Sequence, residues 1–190
     1  MTMVPRFPIL ATCGLLFGTA SAVQADGSYF QVDLAPDTSD VVAAATRGKL
    51  SFGANYSSYE NGWSAGSYLA RDFAIEDFGT VKIGPSLVIS DARDGMGLGA
   101  KLIGERYEPT SFGFVFLSAQ YNTIDNDWFA LAQIGNGQGH SVDLTAGGSD
   151  LYSERSLAIN YRLGDGPVSL RGGYRFEAEQ VFMGLSVNTY

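Results

Sequence analysis

The sequence predicts an all-β protein, an antiparallel up-and-down transmembrane β-barrel of about ten strands within a range of eight to twelve. Three observations lead to this fold class. Apolar and polar residues alternate along most of the chain, and glycine-rich turns separate the alternating stretches. In addition, no apolar run approaches the roughly 18–20 residues that a membrane-spanning helix requires. The composition fits many strands and turns, because 24 of the 190 residues are glycine and 13% are aromatic.

The first 25 residues have the order of a secretory signal peptide. Arg6 supplies the positive charge, residues 9–17 form a short apolar core, and small residues permit cleavage after Ala22 or Ala25. The rest, residues 26–190, is expected as one barrel domain outside the cytoplasm. Cys13 is the only cysteine and would leave with the signal peptide, so disulfides and cysteine chemistry are not expected in the mature chain.

The clearest strands lie in residues 156–190, where the alternation covers three successive stretches. Alternation with a period of two puts the apolar residues on one face and the polar residues on the other. Ten strands are expected in all, at residues 28–34, 49–58, 63–72, 80–90, 96–107, 111–121, 128–134, 156–163, 168–177 and 181–188. Pro85 should cause a bulge or a weakened pairing because it has no backbone donor. The apolar phase changes after Phe116, which predicts a bulge there.

The connectors are expected to differ in length between the two ends of the barrel. Long ones are predicted at residues 35–48, 71–79 and 135–150, and short ones at 60–62, 91–95, 123–127 and 164–167. With both chain ends on one side, an even barrel puts the four short turns on that same side. Short periplasmic turns and longer external loops are typical of outer-membrane barrels.

Two features favour lipid as the surroundings of the apolar face. First, glycines lie at mid-strand on the polar face, where they would make room inside a lumen: Gly84, Gly97, Gly99, Gly113 and Gly184. Second, aromatic rings lie near strand ends on the apolar face and predict a membrane girdle of Trp63, Trp128, Tyr161, Tyr174 and Phe176. The alternative is a soluble periplasmic β-barrel that binds an apolar ligand inside.

The charged residues of the polar face are expected to form a network in the lumen. The predicted members are Lys82, Lys101, Glu105, Arg162, Arg171, Arg175 and Glu177. An arginine on the lipid face at mid-bilayer costs about 2–4 kcal/mol, so Arg171 and Arg175 should point inward. Glu105 and Glu177 are available as their partners. Because eight strands already leave an interior that side chains fill, this predicts a plugged or very narrow polar lumen.

The Gly-Tyr-Arg-Phe sequence at 173–176 and the alternating strand at 182–190, which ends in an aromatic residue, resemble those of small Gram-negative outer-membrane β-barrel proteins, the broad OmpA/OmpX/OmpW-like grouping. The resemblance implies integral location in the outer membrane after secretion to the periplasm. It also implies contact with outer-membrane lipids and lipopolysaccharide, and insertion by the assembly machinery. The assembly signal would include Phe182, Gly184, Val187 and Tyr190. Tyr190 is one residue out of phase, which a terminal bulge would repair.

Few residues in the sequence indicate a catalytic, metal or cofactor site. His140, the only histidine, precedes Ser141, but neighbours on a strand point to opposite faces, so a lipid-modifying hydrolase is only an alternative. No metal site or cofactor is predicted. Nucleic acid is excluded as a partner, because 20 acidic residues outnumber 12 basic ones and give a net charge of −8.

The expected function is therefore that of a non-enzymatic outer-membrane barrel with a structural or surface-contact role. The main alternative is a narrow channel for small solutes or ions, lined by the basic residues of the predicted lumen network. The sequence does not identify a ligand or an oligomeric state.

Overall fold

A computed structural model describes residues 26–190, which form a closed antiparallel barrel of twelve strands. Strands pair with their neighbours in chain order, and β12 closes the ring on β1. The strands are β1 (Gly27–Leu34), β2 (Ser39–Arg47), β3 (Leu50–Tyr59), β4 (Gly62–Ile75), β5 (Gly79–Ser90), β6 (Met96–Thr110), β7 (Gly113–Asn122), β8 (Asp127–Asn136), β9 (Ser141–Gly148), β10 (Ser153–Arg162), β11 (Val168–Arg175) and β12 (Gln180–Asn188). The predicted signal peptide and Cys13 lie outside the described residues.

The all-β closed barrel is confirmed, but the strand number is twelve rather than about ten. The two additional strands, β2 and β9, lie in segments that the sequence predicts as loops. β2 does not alternate clearly, because small apolar residues such as Val42 and Ala44 face the lumen while Val41 and Ala43 face outward. β9 does alternate, but it is short and follows a glycine-rich segment.

The predicted arrangement of the connectors is wrong. Every connector has five residues or fewer, so the barrel has no long loops within residues 26–190. We call the end where β1 begins and β12 ends the proximal mouth, and the opposite end the distal mouth. The turns at 60–61, 91–95 and 123–126 lie at the distal mouth, and only the turn at 163–167 is proximal. The reason is that the two unpredicted strands change the direction of those that follow. β2 inverts the direction expected for β3 to β8, and β9 restores the expected direction from β10 onward.

The bulge predicted in residues 111–121 is also wrong. β7 keeps one register with β6 and one with β8 over its whole length. Phe114 and Phe116 therefore face the lumen, while Leu117 and Tyr121 face outward on the same strand. At Pro85 the pairing of β4 with β5 is interrupted opposite Leu69 and Ala70 and resumes in the same register, which is a weakened ladder without a bulge.

The burial pattern is the inverse of that of a soluble barrel. Within residues 26–190, twelve polar or charged residues are buried, against five hydrophobic ones. Large apolar side chains on the outer face are instead exposed, and Met183 is 73% exposed. They form a belt that includes Phe52, Leu69, Ile83, Leu98, Leu102, Leu117, Ile134, Val142, Leu144, Leu157, Ile159, Leu170 and Leu185. A continuous apolar exterior around a polar interior matches a lipid-facing surface. The described residues also contain no helix that could span a membrane.

Replacing Met183, near the middle of β12, by arginine should lower the free energy of unfolding by about 2–4 kcal/mol, because the charge would face hydrocarbon. The same replacement at Asn55 should change it little, because Asn55 faces the lumen and is exposed there. Urea titration of both variants refolded in lipid vesicles would measure this. Equal losses at the two positions would show that the inner and outer faces are assigned incorrectly.

The barrel lumen as candidate functional site

Arg171 on β11 is the centre of the charged network in the middle of the lumen. Its Nε donates to Asp33 Oδ1 at 3.0 Å, and its Nη1 donates to Asp143 Oδ2 at 2.8 Å. Nη1 also donates to Asn160 Oδ1 at 2.5 Å. All three partners are buried, as is Arg171 itself. One guanidinium thus joins β1, β9 and β10 along one side of the inner wall, and its charge is more than balanced by two carboxylates.

Neighbouring polar side chains hold these carboxylates in place. Gln31 Nε2 donates to Asp33 Oδ2 at 2.6 Å, and Gln133 Nε2 donates to Asp143 Oδ1 at 2.8 Å. Gly184 lies between Asp33 and Arg171 in the register of β1, β12 and β11. A Cβ at this position would lie 2.2 Å from Asp33 Oδ1 and 2.1 Å from the carbonyl oxygen of Val32. The missing side chain therefore lets Asp33 reach the arginine across β12.

A second charged cluster lies nearer the proximal mouth. Lys82 Nζ is 2.9 Å from Glu105 Oε2 and 4.0 Å from Asp72 Oδ2. Ser51 Oγ donates to Asp72 Oδ2 at 2.7 Å, while Asp72 Oδ1 is buried without a partner in the described part of the chain. This cluster, like that of Arg171, has two carboxylates for one cation.

Arg175 forms a third cluster toward the distal mouth. It is paired with Asp40, donates to Thr38 Oγ1 at 2.6 Å, and lies over the ring of Phe182 at 5.3 Å from the centroid. The predicted partners of the arginines are therefore wrong: Asp33, Asp143 and Asp40 take the places expected for Glu105 and Glu177. Asp33 could have been found, because it alternates in phase with Gln31. Asp143 and Asp40 could not, because both lie in the strands that the sequence analysis takes for loops.

The remaining predicted lumen residues are placed differently. Lys101 points inward with its Nζ 5.2 Å from the centroid of the Tyr68 ring, and it has no carboxylate within salt-bridge distance among residues 26–190. Arg162 donates from Nε to the carbonyl oxygen of Gly166 at 2.8 Å and so braces the turn at 163–167. Glu177 does not line the lumen. It lies in the distal turn at 176–179, where hydrogen bonds from Arg155 lower its pKa below the usual range.

The predicted girdle residues are exposed on the outside of the barrel. Four of them, Trp63, Trp128, Tyr174 and Phe176, lie toward the distal mouth. Tyr161 alone lies toward the proximal mouth, where its ring stacks on His140 with the centroids 4.5 Å apart.

The four residues of the implied assembly signal do not share a face. Phe182 and Gly184 face the lumen, and Val187 faces outward. The pairing of β1 with β12 runs on through Thr189 without a terminal bulge, so the ring of Tyr190 lies over Gly27 at the proximal mouth. Its hydroxyl is 3.1 Å from Thr46 Oγ1.

His140 and Ser141 belong to separate hydrogen-bond networks. The backbone N–H of Arg162 donates to His140 Nδ1 at 3.0 Å. Ser141 Oγ accepts from Asn160 Nδ2 at 2.9 Å on the inner face. His140 therefore does not act as a base on Ser141. No group of three metal-ligating side chains occurs in residues 26–190 either.

One side of the lumen is open. Asn55 and Ser57 on β3 face inward in register with the lumen residues of β2, yet Asn55 is exposed and Ser57 is only half-buried. Twelve strands about 4.8 Å apart and tilted by about 40° give a backbone radius of about 12 Å. Connectors of at most five residues are too short to fold across such an interior. The most inward of them places Ile124 over Gly97 and Gly99, which lack the side chains that would collide with it.

The two mouths differ in charge. The six distal connectors contain eight acidic residues and one basic residue, Arg93. The acidic residues are Asp37, Glu60, Asp91, Asp94, Asp125, Asp150, Glu177 and Glu179. The five proximal connectors contain three acidic residues and one lysine. An anion that approaches the distal mouth is therefore repelled, and a cation is attracted.

A closed barrel with an apolar belt, a charged lumen and short turns has the architecture of an integral outer-membrane β-barrel. Comparison with solved structures finds the same fold in a porin. KdgM porin superposes with a TM-score of 0.56 at 8% sequence identity, over 86% of this chain and 99% of that chain. KdgM porin in complex with disordered oligogalacturonate superposes with a TM-score of 0.54 at 7% identity, over the same shares.

These identities are so low that the similarity establishes the fold alone. It supports a porin-like outer-membrane barrel and does not single out the OmpA/OmpX/OmpW-like grouping that the sequence resembles. No protein-family model matches the chain, and no curated protein matches it in sequence.

Proposed function

We propose that the protein is a narrow diffusion channel for small uncharged or cationic solutes in the outer membrane. The observation that carries this proposal is the open side of the lumen, where Asn55 faces inward and is exposed and the neighbouring Ser57 is only half-buried. A plugged barrel would cover such side chains. The structural role expected from the sequence is not confirmed, and the channel alternative fits the porin-like fold better.

Side chains of the barrel strands, and not a loop, narrow this channel. Arg171, its two carboxylates and Asn160 occupy one side of the mid-lumen, and Lys101 on β6 and Tyr68 on β4 project from another part of the wall. Both belong to strands that are hydrogen-bonded on each side. The aperture is thus set by side chains on rigid elements.

Charge argues against acidic sugars as the main solutes. KdgM porin is seen in complex with oligogalacturonate, a chain of carboxylate-bearing sugars. In the present lumen, Arg171, Arg175 and Lys82 are each already paired with carboxylates. A polyanion would also have to pass the acidic distal mouth. Neutral and cationic solutes meet neither obstacle.

The remaining roles are proposals of the same kind. The apolar belt would contact outer-membrane lipids and lipopolysaccharide, and the last strand would be read by the assembly machinery. We propose no enzymatic activity and no cofactor.

The purified protein should form steady single-channel steps in a planar bilayer, with a reversal potential that indicates mild cation preference. Replacing Lys101 by alanine should increase the cation-to-anion permeability ratio roughly fourfold, because one charge at about 10 Å in water shifts the energies of a cation and of an anion by about 0.4 kcal/mol each, in opposite directions. Lys101→Arg keeps the charge and serves as the matched control. Absence of conductance, or equal ratios in the wild type and Lys101→Ala, would contradict the proposal.

A further inference from the structure

The inner face of β7 and β8 carries a row of apolar side chains, although the alternation pattern predicts polar residues on that face. Phe114 and Phe116 on β7, and Leu131 and Phe129 on β8, all face the lumen. We call these four residues the apolar strip. Each is only partly buried, so part of each side chain is open to the interior.

The strip extends along the lumen from the proximal toward the distal mouth. Phe114 lies over Gly135, and Phe129 pairs with Gly147, which leaves space beside its ring. Phe129 on β8 pairs with Gln120 on β7, and Gln120 lies six residues after Phe114. The two ends of the strip are therefore six residues apart along β7. At about 3.3 Å per residue, the strip is about 20 Å long. With the strands tilted by about 40°, the strip spans about 15 Å along the barrel axis, roughly half of the 30 Å hydrocarbon thickness of a bilayer.

A polar side chain accompanies the apolar one at three successive levels of this strip. The cross-strand pairs are Phe116 with Gln133, Leu131 with Ser118, and Phe129 with Gln120. The Gln120 side chain has no hydrogen-bond partner within residues 26–190, and Gln133 uses its Nε2 but not its Oε1. The levels of Gln133 and Gln120 therefore offer an apolar surface together with a hydrogen-bonding group, whereas Ser118 Oγ at the middle level is buried.

This repeated pairing matches the chemistry of a pyranose sugar, which presents a C–H-rich face and a rim of hydroxyl groups. An aromatic hydrocarbon would gain nothing from the amides, and an anionic solute would gain nothing from the negative faces of the rings. Anionic sugars are disfavoured in addition, because Glu105 pairs with Ser118 and Asp143 pairs with Gln133 on the adjacent strands. A neutral oligosaccharide fits these constraints.

We propose that the apolar strip binds neutral oligosaccharides as they pass through the barrel, with sugar faces on Phe116, Leu131 and Phe129 and hydroxyls on Gln133 and Gln120. This inference rests on the proposed channel function and names its substrate class. The solute moves from one cross-strand pair to the next and replaces each contact by a similar one. Because no single position holds it tightly, binding stays weak and passage is continuous.

The test is the block of ion current through single channels by a neutral glucose hexamer. The hexamer should interrupt the wild-type current in a concentration-dependent way. Phe116→Ala and Phe129→Ala should each weaken the block roughly tenfold, which is the size of one aromatic contact. Asn55→Ala widens the same lumen on the opposite side and should leave the block unchanged.

A conducting channel that the hexamer does not block would overturn the sugar proposal and leave the channel proposal intact. Equal weakening by Asn55→Ala and Phe116→Ala would overturn it too, because the effect would then follow lumen width. A hexamer of galacturonate that blocks as strongly as the neutral one would overturn the preference for neutral sugars. Absence of conductance in the wild-type protein would instead contradict the channel function itself.

Discussion

Replacing Arg171 by methionine is expected to lower the free energy of unfolding by about 3–5 kcal/mol, the usual cost of removing one partner from a buried ion pair. The variant leaves Asp33 and Asp143 buried without their cation, while the side-chain volume is nearly kept. Urea titration in lipid vesicles measures the loss. The unboiled protein should also lose its heat-dependent shift on a denaturing gel at a lower temperature.

The control for this prediction is a triple variant that adds Asp33→Asn and Asp143→Asn to Arg171→Met. Amides carry no charge, so most of the lost stability should return. If the triple variant is as unstable as Arg171→Met alone, the loss comes from packing and the charge argument is wrong. If Arg171→Met itself unfolds like the wild type, the ion pairs contribute nothing to stability.

Replacing Gly184 by alanine is expected to destabilise the barrel by about 3 kcal/mol, the upper part of the range for overpacking. The added Cβ would meet the Val32 carbonyl oxygen at 2.1 Å and Asp33 Oδ1 at 2.2 Å. Both contacts lie at the seam where β12 closes on β1. The urea midpoint and the yield of the folded gel band should therefore fall together.

Gly172→Ala provides a matched comparison on the neighbouring strand. A Cβ there would meet only the Phe182 carbonyl oxygen at 3.9 Å, which is ordinary contact. This variant should fold like the wild type. Equal losses in Gly172→Ala and Gly184→Ala would mean that general strand propensity matters more than the close approach at the seam.

The sequence was sufficient for the fold class because lipid enforces a strict rule on the outer face. Residues such as Leu157, Ile159 and Tyr161 must alternate with polar neighbours wherever one face meets hydrocarbon and the other meets water. The inner face obeys no such rule. β2 carries Val42 and Ala44 inward, and β7 carries Phe114 and Phe116 inward, so alternation is lost there.

The same asymmetry explains which parts of the lumen could be predicted. The cost of an arginine in lipid is large, and the structure places both Arg171 and Arg175 inside. Their partners depend on which strands are neighbours, and the two unrecognised strands supply Asp143 and Asp40. Long-range pairings such as Asp33 with Arg171, 138 residues apart, have no local signal.

The short connectors have a consequence for how such a pore changes with time. A channel narrowed by a folded-in loop can open and close as that loop moves on its own. Here the side chains that narrow the lumen stand on strands that are hydrogen-bonded on both edges. Moving the backbone that carries them therefore requires breaking the hydrogen bonds of the barrel. In the proposed channel, permeability is therefore fixed once β12 has paired with β1, and it should stay constant afterwards.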